Sequence, residues 1–467
     1  MSTTLKSSAF DIDEASIHGT LAGAAVPDAV RVREILAKGR ELHGLEADDI
    51  VPLMALDDPE LIAELFETAR HVKDTIYGRR LVIFAPLYVS NLCANECLYC
   101  AFRVHNKDVV RRALTQEEIA RETRVLIDQG HKRVLVVAGE AYPKGGLQYI
   151  LDAIETVYSV KSGNGEVRRI NVNIAPLSTE DFVRLKAARI GTYQIFQETY
   201  HHATYASVHV SGKKADYHYR LSAVDRAMSA GIDDCGIGVL FGLYDWRFEM
   251  LALMQHIRHL ESAFGVGPHT LSVPRIEPAT GSAMADRPPS PVDDQSFRKI
   301  VAILRIAVPY TGIIMSTRET AEMRRETFAL GVSQISGGSR TNPGGYAETA
   351  RDDTSQFSLG DHRCLDEVVC DVAKLGYVPS FCTACYRLGR TGADFMDLAR
   401  PGDIKQHCGP NAAASFQEYL MDYGTDESRA AGDPAIEDSI ADMDETPARH
   451  SRVMVSKVKE GRRDVYR

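Results

Sequence analysis

Cys93-Ala94-Asn95-Glu96-Cys97-Leu98-Tyr99-Cys100 is the stretch on which the reading of this chain turns. It carries three thiols at the spacing C-x3-C-x2-C, and the apolar run 81–89, read as a strand, leads straight into them. Thiolates are soft ligands, and three on one short loop suit three irons of a cubane iron–sulfur cluster, with the fourth iron open to a small molecule. Zinc is the competing reading, although structural zinc takes four protein ligands and catalytic zinc seldom uses three thiolates. A stable disulfide fits poorly with an odd set of thiols in a reducing compartment.

Outward from the cysteines, strands and helices alternate. Candidate strands recur at 81–89, 133–139, 168–174, 192–198, 235–242, 270–276, 311–317 and 332–338, with helical stretches between them. Thr115 with Glu118, and Ser178 with Asp181, stand at capping intervals that start helices. Gly130, Gly191 and Gly231 each end a helix shortly before a strand. Serial units with no reversal of order predict an α/β fold, a (β/α)8 TIM barrel over residues 81–340, in preference to an open doubly wound sheet. Residues 1–80 form an N-terminal extension. Its first 26 positions are polar and aperiodic and read as loose, whereas 28–79 carry helical spacing and predict a preface packed on the barrel. Residues 341–467 form a C-terminal extension with a second cysteine group, Cys382, Cys385 and Cys408, at C-x2-C-x22-C. Three thiols again suit a cluster with one open iron. Cys235, Cys364 and Cys370 stand apart and read as ordinary buried thiols.

Composition narrows the function classes. Apolar residues make up 44% and charged residues 25% of the 467, as in a globular protein with one large domain and appendages. A net charge of -10 with no basic patch argues against nucleic acid as a partner. No apolar run approaches the ~20 residues of a membrane helix, and the first residues lack a signal pattern, so the expected location is the cytoplasm. Six of the nine cysteines fall in two tight groups, which reads as metal binding rather than a disulfide scaffold.

With an aromatic, Tyr99, directly before its last cysteine, the first motif resembles that of the radical S-adenosylmethionine (SAM) superfamily. The resemblance implies a 4Fe–4S cluster whose open iron binds the amine and carboxylate of SAM and which splits it to a 5′-deoxyadenosyl radical. In a parallel barrel, functional residues sit at the C-terminal ends of strands. There, Val137-Ala138-Gly139-Glu140 resembles the Gly-Gly-Glu segment that holds the SAM amine, with Ala138 in place of the first glycine. Arg220 resembles the arginine that grips the SAM carboxylate in the biotin-synthase-like branch. Glu198 places a carboxylate where a ribose or amine could bind, and Gly238 leaves room for an adenine ring against the backbone. Ser316 and Arg318 end the seventh strand, where an arginine can clamp a carboxylate through two parallel hydrogen bonds. The structural alternatives are that Glu198 only pairs with Arg220, and Arg318 only with Glu319 or Glu322.

Both cysteine groups, together with Phe196-Gln197-Glu198-Thr199-Tyr200-His201, Gly267-Pro268-His269-Thr270, Cys382–Gly392 and Cys408-Gly409-Pro410-Asn411-Ala412, resemble the tyrosine lyases that mature FeFe-hydrogenase, the HydG family. The likeness runs from about residue 28 to 423. It implies cleavage of tyrosine at Cα–Cβ to p-cresol and dehydroglycine, and conversion of the latter to carbon monoxide and cyanide on an iron at a second 4Fe–4S cluster. It also implies an electron donor of flavodoxin or ferredoxin type and other hydrogenase maturation proteins as partners. The tyrosine lyases of thiamine biosynthesis lack the three-cysteine tail and are the alternative, with a non-catalytic iron–sulfur carrier as another. Cys382 is expected at the far end of the barrel from Cys93, roughly 20 Å away. His269 begins the sixth strand, so it faces that end, where a neutral imidazole suits the extra iron. The bland alternative is a connector residue; His256 and His259 are secondary candidates.

Overall fold

The first segment after the N-terminal helices is one long apolar strand, and the rest of the barrel is laid beside it. The computed structural model describes residues 10–24, 28–143, 145–348 and 354–467. Its barrel strands are β1 (Arg80–Ser90), β2 (Arg133–Ala138), β3 (Arg169–Asn173), β4 (Tyr193–Gln194), β5 (Cys235–Gly238), β6 (Thr270–Ser272), β7 (Gly312–Met315) and β8 (Val332–Ser336). Each pairs in parallel with the next, and β8 closes on β1 through Val82↔Gln334, Ile83↔Ile335 and Phe84↔Ser336. The chain therefore forms a closed eight-stranded (β/α) barrel, as the serial pattern predicts. Alternation along β1 sets its two faces. Leu81, Ile83, Ala85, Leu87 and Val89 pack outward into the core beneath the helices, while Val82, Phe84, Pro86 and Tyr88 face the lumen.

Helix ends follow from local chemistry. Thr115 and Glu118 make a reciprocal capping box, and Ser178 Oγ accepts from the Asp181 N–H at 3.2 Å. Gly130 and Gly231 take left-handed turns (φ 101° and 84°), but at the third site Arg189 does so (φ 60°), not Gly191. Gly191 is a glycine because a Cβ there would lie 2.3 Å from Asn171 Oδ1.

Four helices precede the barrel: α1 (Glu14–Ala22), α2 (Ala29–Arg40), α3 (Ala47–Met54) and α4 (Pro59–Tyr77). Helix α1 corrects the expectation of a loose start; residues 1–9 and 25–27 of that stretch lie outside the described residues. Its own periodicity is weak, and tertiary contacts hold it. Asp13 caps the Ser16 N–H, Ile17 is buried, and Phe10 stacks on His259 at 4.0 Å.

The C-terminal segment returns to the barrel. Strand β9 (Val378–Ser380) runs beside Arg80–Val82 of β1. Val82 faces Gln334 on one edge and Ser380 on the other, so β9 takes the edge that β2 occupies further along. Helices Ile404–Asp422, Asp426–Ala441 and Glu445–Lys459 complete this end. Among the described residues, no helix is long and apolar enough to cross a membrane.

Candidate active site

Cys93, Cys97 and Cys100 line one cavity at the C-terminal ends of the strands, with Tyr99, Gly139, Glu140, Glu198, Arg220, Ser316 and Arg318. The cysteine loop is stitched in place by short contacts. Glu96–Cys97 pairs antiparallel with His209–Ser211, and Tyr99 Oη lies 2.8 Å from His209 Nε2. Asn95 Nδ2 donates to Glu140 Oε2 at 2.7 Å, and Asn95 Oδ1 accepts from the Lys214 N–H at 3.1 Å. Gly139 must be a glycine, since a Cβ would lie 2.3 Å from the Leu92 carbonyl oxygen. Burial pushes the Cys100 thiol up to about 11 and the Cys97 thiol higher still. Such thiols release their protons to a metal rather than to water. Three of them on one wall fit an iron–sulfur cluster with one iron open to the cavity.

Beside them stands a compact set of charges. Arg220 Nη1 is 2.8 Å from Glu140 Oε1, and Lys214 Nζ is 2.7 Å from Glu198 Oε1. Burial works against the Glu140 carboxylate, yet Arg220 and Lys214 hold it below its ordinary range. The reading in which Glu198 pairs only with Arg220 needs correction: that contact is 3.7 Å, and the nearer partner is Lys214. Lys214 lies in a turn rather than at a strand end, so no pattern in the sequence marks it. Glu198 itself takes the left-handed backbone region (φ 71°), an unfavourable place for a residue with a side chain. The following Thr199 hydroxyl and Tyr200 N–H both donate to Glu249, which pins the turn. Gly238 does not line this cavity; a Cβ there would meet Ser272 O at 2.7 Å and Phe196 at 2.9 Å, so its smallness serves packing, and Leu240 takes the lining position.

At the opposite wall, Arg318 has no ion pair among the described residues. Glu319, one of the two acids expected to pair with it, is bonded by Arg275 instead (Nε to Oε1, 2.9 Å). The Arg318 guanidinium lies over Phe357, 3.3 Å from the ring centroid, while Ser316 Oγ accepts from the Arg318 backbone N–H at 3.4 Å. Glu277 lines the same wall, its carboxyl raised by burial to about 7. Gln356 bridges this wall to the cysteines, accepting from Tyr88 Oη at 2.7 Å with its Nε2 3.9 Å from Cys100 Sγ. Gln356 and Phe357 come from a polar, aperiodic stretch and were not legible as site residues. Part of that stretch, 349–353, lies outside the described residues.

A second cavity opens at the N-terminal ends of the strands. Cys382, Cys385, Cys408 and His269 line it, with Arg80, Arg133 and Asp234. The hydrogen bond with Cys385 lowers the Cys408 thiol and raises its partner, and Arg80, Arg390 and Arg133 favour the same thiolate. His269 Nδ1 is 3.3 Å from Asp234 Oδ1 without a hydrogen bond between them, and burial lowers the ring's pKa, which favours the neutral imidazole that a metal takes as a ligand. The secondary candidates are elsewhere: His256 Nδ1 faces Tyr200 Oη at 2.8 Å, and His259 Nε2 faces Asp225 at 2.6 Å. Cys235 and Cys370 are buried, but Cys364 is exposed at the start of the helix Leu365–Lys374, against expectation.

The two cavities approach one another inside the barrel. Phe84, Leu135, Ile314 and Ser336 line the first, and Val82, Arg133, Gly312 and Gln334, each two residues earlier on the same strand, line the second. Adjacent layers of inward side chains thus face the two cavities.

Residues 87–255 match the radical SAM superfamily model, and 272–378 match the biotin and thiamin synthesis associated domain. The chain is 32% identical to the 2-iminoacetate synthase of Escherichia coli (strain K12) over 339 residues, 72% of this chain and 86% of that protein. Its structure is similar to a crystal structure of HydG, a maturase of the FeFe-hydrogenase, with a TM-score of 0.94 and 45% identity over 98% of this chain and 99% of that one. A likeness of TM-score 0.82 and 41% identity relates it to HydG from Carboxydothermus hydrogenoformans, over 95% and 97% of the two chains.

Proposed function

The chain belongs to the HydG maturase family of the radical SAM superfamily, and from that premise we propose that it is a tyrosine lyase whose fragment becomes carbon monoxide and cyanide on iron for the FeFe-hydrogenase active site. The observation that carries this reading is the pair of thiol triads at opposite ends of one lumen, the second accompanied by His269. The three-part division at residues 80 and 340 gives each triad its own unit, with β9 tying the last to the barrel.

In this reading Cys93, Cys97 and Cys100 hold a 4Fe–4S cluster, and Cys382, Cys385, Cys408 and His269 hold a second one with an extra iron. The first cluster and SAM, once bound and supplied with an electron by a flavodoxin- or ferredoxin-type donor, provide the 5′-deoxyadenosyl radical. The chain's own share is positioning and dryness. Glu140 takes the SAM amine and Arg220 its carboxylate, and the Lys214–Glu198 pair fixes the wall beside them. Arg318, held flat by Phe357, presents its fork to the tyrosine carboxylate, with Ser316 beside it. Glu277 meets the substrate ammonium. Phe84, Tyr88, Phe196 and Ile276 line the space between and keep water out. The tyrosine Cα–Cβ bond breaks at the first cavity to give p-cresol and dehydroglycine, and the lumen leads the small fragment to the second.

The test is an anaerobic assay of the reconstituted protein with tyrosine, SAM and a reductant, read for 5′-deoxyadenosine, p-cresol, carbon monoxide and cyanide. All four are expected. A carrier would release no 5′-deoxyadenosine, and a lyase of the thiamine kind would stop at p-cresol and dehydroglycine. Cys97→Ala should drop 5′-deoxyadenosine to background; if it did not, the cysteine loop would be wrongly assigned.

A further inference from the structure

Outside both cavities, one cluster of side chains has the make-up of a metal site. Asp11, His202 and His218 each offer one ligand atom, and the three atoms lie within 4.8 Å of one another. His202 Nε2 is 2.9 Å from Asp11 Oδ1, and His218 Nδ1 is 3.9 Å from the same oxygen. Ligand atoms around a tetrahedral zinc with bonds of ~2.1 Å stand ~3.4 Å apart, and the two observed separations bracket that value. Behind His202 stands Glu14, whose Oε1 is 2.8 Å from His202 Nδ1 and 2.6 Å from the His202 backbone N. This is the carboxylate that a metal-bound histidine uses to fix its tautomer, with Nδ1–H donating and the Nε2 lone pair left to coordinate. The His202 ring thus has Nδ1 against Glu14 and Nε2 toward Asp11, the direction from which His218 also approaches. His218 is exposed and Asp11 nearly half so, which leaves space for water as a fourth ligand.

We propose that Asp11, His202 and His218 form a zinc site that clasps the N-terminal segment to the barrel. Two imidazoles and one carboxylate are an ordinary zinc donor set, and such a site prefers zinc to ferrous iron. Placement gives the clasp a purpose. His202 lies four residues after Glu198, and His218 two residues before Arg220, so one ion would tie together the two segments that carry these cavity residues. Asp11 brings in α1, whose Asp13 N–H already donates to Gln255 at 2.9 Å. The site rests on none of the roles proposed for the cysteines.

The experiment uses the full chain after anaerobic iron–sulfur reconstitution, so that iron occupies the thiol triads and they do not scavenge zinc. Protein equilibrated with zinc chloride and desalted is analysed for metal content, as wild type, His218→Ala and Asp11→Asn. Wild type should retain about one zinc per chain, and each variant should bind zinc at least about tenfold more weakly. Zinc should also slow amide exchange over residues 10–22 in wild type and leave it unchanged in the variants. Equal zinc retention in all three proteins, or none above buffer in wild type, would overturn the site and leave His202 as an ion pair between two carboxylates.

Discussion

Arg318 shows how little of a residue's part in a site lies in its charge alone. Its neighbour Glu319 is taken by Arg275, and the guanidinium rests on Phe357 in the cavity wall with its donors uncommitted to any carboxylate among the described residues. Lysine would keep the charge there and lose the planar fork. Arg318→Lys should raise the tyrosine KM about 10- to 100-fold, the equivalent of one charge-assisted hydrogen bond, with SAM affinity preserved. Comparable loss of both would assign Arg318 to SAM or to the fold. In the reading proposed above, Glu277 completes the pair of charges a zwitterionic amino acid needs. Burial raises its carboxyl to about 7, so the carboxylate that attracts the ammonium is present above that pH and lost below it. The kcat/KM for tyrosine should therefore rise through about pH 7, and Glu277→Gln should lack that inflection. Persistence of the inflection in the variant would assign it to another group.

Among elements, the turn after β4 carries backbone strain at the cavity. Glu198 sits at φ 71°, and two donors in the next two residues are anchored on Glu249 of the helix Trp246–Phe264. Burial raises Glu249 from 4.5 to about 8. The folded state thus keeps a proton that the unfolded chain has already released, and the stability tied to the neutral form declines as pH rises through that window. The slope is at most about 1.4 kcal/mol per pH unit. Glu249→Gln retains a donor and an acceptor for Thr199 and Tyr200 while removing the titration. Its denaturation midpoint should stay level between pH 5 and 8 where that of wild type falls; parallel slopes would mean that Glu249 is already ionised when folded. Strand-end residues such as Glu140 and Glu198 could be read from the sequence because barrel order puts them at the mouth. Glu249, Lys214 and Gln356 could not, because a helix interior, a turn and an aperiodic stretch carry no period that points at a cavity. Gly238 misled for the opposite reason: small residues in a strand serve backbone packing as readily as a ligand.

For the whole molecule, what was legible was the repeating unit. Lumen and outer faces alternate along β1 as the period of a strand requires, and the capping box of Thr115 and Glu118 starts its helix where the sequence places it. What stayed hidden were the pieces whose structure comes from distant partners. Helix α1 is held by Phe10, Asp13 and Ile17 against the barrel, and the three residues of β9 are a strand only because β1 extends beyond β2 at its foot. That foot is where Cys382 emerges, with the Cys382 carbonyl accepting from Arg133 Nη2 at 2.8 Å at the start of β2. The two triads thereby line cavities at opposite ends of the strands, and adjacent layers of side chains face those cavities. Chemistry at one end and capture at the other should therefore be separable by substitution. Serine keeps the size of cysteine but offers iron a hard, poorly ionised oxygen in place of a thiolate. In the variant Cys382→Ser, Cys385→Ser, nothing in the first cavity changes, so p-cresol and 5′-deoxyadenosine should form near the wild-type level. Carbon monoxide bound to iron, followed by its infrared stretch in single-turnover samples, should fall to background. His269→Ala should shift the balance in the same direction while leaving the three thiols in place. Loss of p-cresol and bound carbon monoxide together in the double variant would show that the far cluster supports cleavage itself, and the division of labour along the barrel would have to be abandoned.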